Sequence, residues 1–219
     1  MLDLDGIQIR DPNSIKAKNA LEGRIGEMRE SLRNQPPFAL AGYMGASYTE
    51  TGPGQGEFRL SLWESEILVS TPEFEVFDSL QERFPGRIQA LVLYYFITAK
   101  GTPLRGDWVS FADLPGGRMY SPAFQGYSGD QIVKACGMRL DAFESACCKA
   151  GGHKVEGADA AYFFHGLPRV SLLVTYWLGE AEFPSASKVL FDSAACHYLP
   201  LDGCAILGSM LTQRILRAL

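Results

Sequence analysis

A chain of 219 residues, 47% hydrophobic and 21% charged, is ordinary globular material and long enough to bury a core without a metal or disulfide. Its net charge of −5, with the basic residues scattered, excludes a general nucleic-acid binder, because phosphate contacts need clustered Lys and Arg. The longest apolar run, residues 88–99, falls short of the ~20 residues a membrane-spanning helix needs, and Met1-Leu-Asp-Leu-Asp-Gly6 lacks the basic and apolar stretches of an export signal; a cytoplasmic protein with no membrane partner is expected.

The first element is an amphipathic helix over residues 14–34. Asn13 and Ser14 are placed to cap it, and Ile15, Leu21, Ile25, Met28 and Leu32 recur along one side. Its basic residues alternate with Glu22, Glu27 and Glu30, which is the pattern of a solvated face. Pro36-Pro37 stops this helix and opens a short one ending near Gly45, after which Thr49-Glu-Thr-Gly-Pro-Gly-Gln-Gly56 reads as a turn or loop. Strands over 57–62, 66–70 and 73–77 follow as an antiparallel meander. A helix over 87–100 is apolar nearly all round and belongs in the core. Residues 107–124 read as a short strand and a long ordered loop. Two helices come next, the second opening at Asp141 with Glu144 in a capping-box arrangement and ending at Gly151-Gly152. Strands over 158–165, 170–178 and 188–191 precede a final helix capped by Asp202, with Ile206, Met210, Leu211, Ile215 and Leu216 as its buried stripe. The fold class is therefore α+β: mostly antiparallel sheet packed with helices, with an N-terminal helical arm over 1–35 and a single domain over 36–219.

Phosphate-binding loops, dinucleotide-binding glycines, zinc-protease helices, nucleophile elbows and calcium loops are all missing, and no motif specifies a cofactor. The five cysteines contain no CxxC pair and read as reduced, packed thiols. Cys147 and Cys148 adjoin mid-helix, roughly 100° apart, which puts one in the core and one at its edge. His153, His165 and His197 share no ligand spacing and read as structural or surface residues.

Two constellations carry chemistry. Asp192, Cys196 and His197 follow a strand, where an Asp that orients a His beside a thiol suits nucleophilic catalysis or metal binding. The plainer reading makes Asp192 a cap for the next turn and Cys196 a packed thiol. The second is Asp113-Leu-Pro-Gly-Gly117 with Arg118. Consecutive glycine amides at Gly116 and Gly117 can converge on an anion, Arg118 adds a fork, and Trp108, Tyr120, Phe124 and Tyr127 wall a pocket. Its plainer reading is a Pro-Gly turn packed by aromatics, with Arg118 in solvent. Arg169, before the most apolar strand, reads as an ion-pair partner or an anion ligand.

Gly106-Asp-Trp-Val-Ser-Phe111, Leu114-Pro-Gly-Gly117, Tyr120-x-Pro-Ala-Phe124, Leu167-Pro-Arg-Val170, Glu182-Phe-Pro184, Leu190-Phe-Asp-x-x-Ala195 and His197-Tyr-Leu-Pro200 occur in this order. The series resembles a bacterial and archaeal domain-of-unknown-function family numbered 3786, over roughly residues 35–219. The resemblance implies no established activity. The resemblance also implies, by association only, a link to anaerobic corrinoid or one-carbon metabolism, since some members look like fusions to a four-cysteine iron–sulfur domain of the kind found in anaerobic corrinoid proteins. The first 35 residues here hold no cysteine, so a cluster within this chain is not expected.

Three functions stay open at this point. The first is an accessory domain binding a small-molecule or cofactor ligand through Trp108, Gly116, Gly117, Arg118, Tyr120, Phe124 and Arg169. The second is a hydrolase or transferase using Asp192, His197 and Cys196. The third is an interaction subunit or homodimer in which the N-terminal helix docks on a partner.

Overall fold

The computed structural model describes residues 12–180 and 182–219. The opening residues Met1–Gly6, and the side chains of Asn13 and Ser14 expected to cap the first helix, lie outside what is described. No helix among the described residues is long and apolar enough to cross a membrane.

Helix α1 (Pro12–Leu32) buries Ile25, Met28 and Leu32 against α3 (Gly86–Thr98). The apolar stripe of the expected arm is thus occupied by the chain's own core. Helix α3 is buried along most of its length, including the polar Gln89, which is 0% exposed. A buried amide must find partners. Gln89 Nε2 donates to the carbonyls of Val76 (2.8 Å) and Phe84 (3.1 Å), and its Oε1 accepts from Val76 N and Arg29 Nη2, both at 3.0 Å. One side chain therefore fixes α1, α3 and a strand edge together. Helix α2 (Pro37–Met44) ends at Gly45, whose φ of 69° lies in the left-handed region that glycine enters without cost.

The first sheet is a four-stranded antiparallel meander in the order β1 (Ser47–Gly52), β2 (Gln55–Leu62), β3 (Ser65–Thr71), β4 (Val76–Asp78). Strand β2 alternates as expected, with Phe58, Leu60 and Leu62 inward. Residues 49–52, expected as loop, belong to β1, and only Pro53-Gly54 form the turn. An edge strand with largely exposed side chains is held by backbone pairing and shows no apolar alternation, so its sequence hides it.

The second sheet runs β5 (Trp108–Ser110), β9 (Ala186–Asp192), β8 (Val170–Trp177), β7 (Ala160–Leu167), β6 (His153–Val155), all antiparallel. Strand β8 is central and buried on both faces, as its Val/Leu/Tyr content requires. Helices α4 (Gly117–Tyr127), α5 (Gly129–Cys136), α6 (Leu140–Lys149) and α7 (Leu201–Ala218) cover the face bearing Tyr162, Tyr176 and Phe191. There Phe143 packs on Tyr176 (4.6 Å between centroids) and Phe124 on Phe191 (5.8 Å).

The expected long loop over 111–124 is instead a 3-10 turn, Phe111–Asp113, followed by α4, with Pro122 inside the helix. Apart from a proline at that position, nothing prevents helix there, and the Gly116 turn supplies its start. Helix α6 begins at Leu140, one residue before the expected Asp141, and has no side-chain cap because its N-cap position is Arg139, which carries no acceptor; Glu144 pairs with Lys154 instead. Along α7 the buried line is Cys204, Leu207, Leu211 and Ile215, while Ile206, Met210 and Leu216 are half-buried.

Candidate functional site

Asp192 is 2% exposed and works as a clamp. Its carboxylate accepts from the backbone amides of Gly106 (2.7 Å), Ala194 (2.8 Å) and Arg105 (3.2 Å), tying the segment before β5 to the turn after β9. It caps the 3-10 turn Ser193–His197, and no hydrogen bond joins it to His197. The Cys196 thiol points back to the Ser193 carbonyl at 3.7 Å. Asp192, Cys196 and His197 are neighbours in sequence that the fold does not assemble into a relay.

The glycine turn is also engaged by the fold. The Gly117 amide donates to Leu114 O at 2.8 Å, and a Cβ there would lie 1.8 Å from Phe111 O. Gly116 is left-handed and exposed, Arg118 is exposed near the Asp113 carboxylate, and Tyr120 is 58% exposed. Hydrogen bonds from the Ser110 hydroxyl and amide hold the Asp113 carboxyl below its ordinary pKa.

The aromatic walls part company. Phe124 is buried on the helix side, stacked on Phe111 at 4.2 Å. Trp108 pairs with Asp192, one residue beyond Phe191, and so stands on the opposite face of the sheet. There it meets Phe163 edge-on at 5.8 Å, which in turn meets His165 at 4.5 Å. Arg169 sits in the β7–β8 turn, its amide donating to the Tyr95 hydroxyl at 3.1 Å while its side chain is exposed beside Gly45. The residues proposed for one pocket occupy separate regions of the surface and core.

A concavity forms elsewhere, between the β2–β3 hairpin and the C-terminal half of α7. The hairpin turn has two central residues, Trp63 and Glu64, since Leu62 pairs with Ser65. Both have positive φ, 52° and 66°. Such turns favour Asn and Gly, and a bulky residue held there costs of order 1 kcal/mol, recovered only from its surroundings. Those surroundings are specific. The Trp63 amide donates to Gly166 O at 3.0 Å, joining the two sheets. The indole is 8% exposed and carries the Arg214 guanidinium 5.8 Å over its ring. Arg214 Nε and Nη2 donate to Ala150 O at 3.3 and 3.1 Å, which fixes the fork. Burial pulls the Arg214 pKa down from its ordinary value, and the nearby Glu64 opposes this.

The resulting groove has a volume of ≈490 Å³, within the ~300–1,000 Å³ typical of small-molecule sites. Leu62, Ile67, Phe84, Ile88 and Met210 give it an apolar floor; Lys149, Arg214 and Arg217 stand on the helical wall, and Glu66 and Asp78 on the sheet wall. The Trp63 Nε1–H is buried and has no acceptor among the described residues. A smaller hollow of ≈430 Å³ lies between α1, α3 and α7, where Arg24 Nη1 donates to both Tyr94 Oη (2.8 Å) and Asp202 Oδ2 (3.1 Å). In that hollow these polar groups satisfy one another; in the larger groove the exposed Arg217 side chain has no salt bridge among the described residues. Sequence reading missed Trp63, Lys149, Arg214 and Arg217. One signal was present: the stretch Leu62-Trp-Glu-Ser65 makes a tight turn between two strands with neither Gly nor Asn.

Fold and groove together define an α+β domain of two antiparallel sheets joined at a strained hairpin, with a concave, apolar-floored cleft under its last helix. No curated protein and no solved structure matches the chain. The chain belongs to the family described as Domain of unknown function (DUF3786), whose model matches residues 37–214. That span covers both sheets and most of α7, and α1 lies outside it although it packs on the shared core.

Proposed function

We propose that this protein is an accessory domain that binds a small-molecule ligand in the groove between the β2–β3 hairpin and α7. The observation that carries the reading is the ≈490 Å³ cleft itself, with an apolar floor of Leu62, Ile67, Phe84, Ile88 and Met210 beside the cationic side chains of Lys149, Arg214 and Arg217. The backbone of Trp63 and Glu64 supports the same reading, because strained turns persist where the fold over-determines them and cluster at binding sites.

The hydrolase or transferase alternative has no such support, since the Asp192 carboxylate is already engaged by three amides. The corrinoid association that the resemblance implies makes cobalamin, haem and nucleotides the first compounds to screen, alongside small organic acids. Protein purified anaerobically should carry a co-purifying mass in native mass spectrometry, or gain thermal stability from a member of that panel, with the gain lost in Trp63→Phe. A bare protein mass together with a flat thermal panel overturns the proposal.

A further inference from the structure

The groove's two walls differ in what their charges already do. On the sheet wall, the Glu66 carboxylate accepts from Arg59 at 3.2 Å, and the Asp78 carboxylate accepts from the amides of Leu80 and Glu82, both at 2.9 Å. On the helical wall, neither Arg214 nor Arg217 forms a salt bridge among the described residues, and Lys149 gives one hydrogen bond to Ala218 O at 3.3 Å. Arg214 and Arg217 are three residues apart on α7 and therefore share a face. This wall thus carries three cationic side chains that no carboxylate among the described residues neutralises, with the Gln213 amide as its one neutral polar group. The floor beneath them is hydrocarbon.

From this asymmetry, and resting on the groove being the binding site, we infer that the ligand is an acidic amphiphile with one anionic head. The head lies at the Lys149–Arg214–Arg217 wall, and the apolar body lies on Trp63 and Ile67. Three cationic side chains complement a carboxylate or phosphate oxygen set, and a guanidinium already fixed by Ala150 O loses little freedom on binding it. A second anionic group at the far end of the body would meet Glu66 and Asp78, so a linear dianion is disfavoured.

The test uses the full chain and calorimetric titration with naphthalene-2-carboxylate, naphthalene-2-carboxamide and naphthalene-2,6-dicarboxylate. The monoacid should bind at least about tenfold more tightly than the amide, the effect of one charge-assisted hydrogen bond. Arg217→Gln, at an exposed position, should remove most of that preference, and Arg214→Gln should act the same way where it stays folded. The dicarboxylate should bind more weakly than the monoacid. Equal affinity for acid and amide, both sensitive to Trp63→Phe, overturns the acidic class and leaves the groove standing. Absence of heat with all three compounds on folded protein overturns the groove as the site for this class and for its neutral counterparts alike.

Discussion

Replacing Asp192 by Asn separates a structural clamp from a catalytic residue. The carboxylate presents two oxygens to three amides, with Oδ2 taking Gly106 and Arg105 and Oδ1 taking Ala194. An asparagine offers one oxygen, so its NH2 must face at least one of those donors. The cheapest orientation sets the NH2 against Ala194 N, losing one charge-assisted bond and leaving one buried amide unpaired. Hydrogen bonds to charged groups contribute ~1.5–3 kcal/mol and an orphaned buried donor costs ~1–3 kcal/mol; with partial relaxation the loss should be about 2–4 kcal/mol. For a chain of this length that lowers the melting temperature by roughly 4–16 °C. Urea unfolding followed by circular dichroism gives the energy, and hydrogen exchange should show protection lost chiefly at Ala194. A double-mutant cycle with His197→Ala should be additive, because the two side chains share no bond. A variant within about 0.5 kcal/mol of the parent, with its amides still protected, would refute the clamp. Strong coupling to His197 would revive the dyad.

Gly117→Ala should cost about 3 kcal/mol or more in urea unfolding, because the new Cβ would lie 1.8 Å from a backbone carbonyl oxygen that cannot step aside. Glu64→Gly should stabilise the fold by about 0.5–1 kcal/mol, since relief at a φ of 66° exceeds the added freedom of the unfolded chain; a loss would mean that the turn is not strained. Under native conditions iodoacetamide should label exposed Cys148 ahead of Cys136, Cys147 and Cys204, as peptide mass mapping will read out. Burial pushes the Cys204 thiol from 9.0 up to about 12. Above the ordinary value the unfolded chain loses this proton while the folded chain keeps it, so stability should decline as pH rises from 9 toward 12, measurable by urea midpoints.

The parts of the fold that could be read from the chain are those where one residue's environment follows from its near neighbours. Phe58, Leu60 and Leu62 alternate because β2 has one wet face, and the unbroken apolar stretch of α3 could only be interior. β1 and β6 gave no such sign, being edge strands with exposed side chains held by backbone bonds alone. The aromatic pocket failed for a related reason. Trp108 and Phe124 are close in sequence, but strand pleating sends Trp108 to one face of the second sheet while α4 folds Phe124 onto the other. Asp192 was visible as a cap, but its grip on residues 105 and 106, far back along the chain, was not.

The chain's own pattern thus determined the α+β class, the largely antiparallel sheet and the family resemblance over roughly residues 35–219. Which polar groups remain free was decided only by tertiary structure. Whether a donor such as Trp63 Nε1 or Arg217 finds an acceptor depends on groups brought in from β3, α6 and α7, and hydrogen bonding is settled by distance in space rather than by separation along the chain.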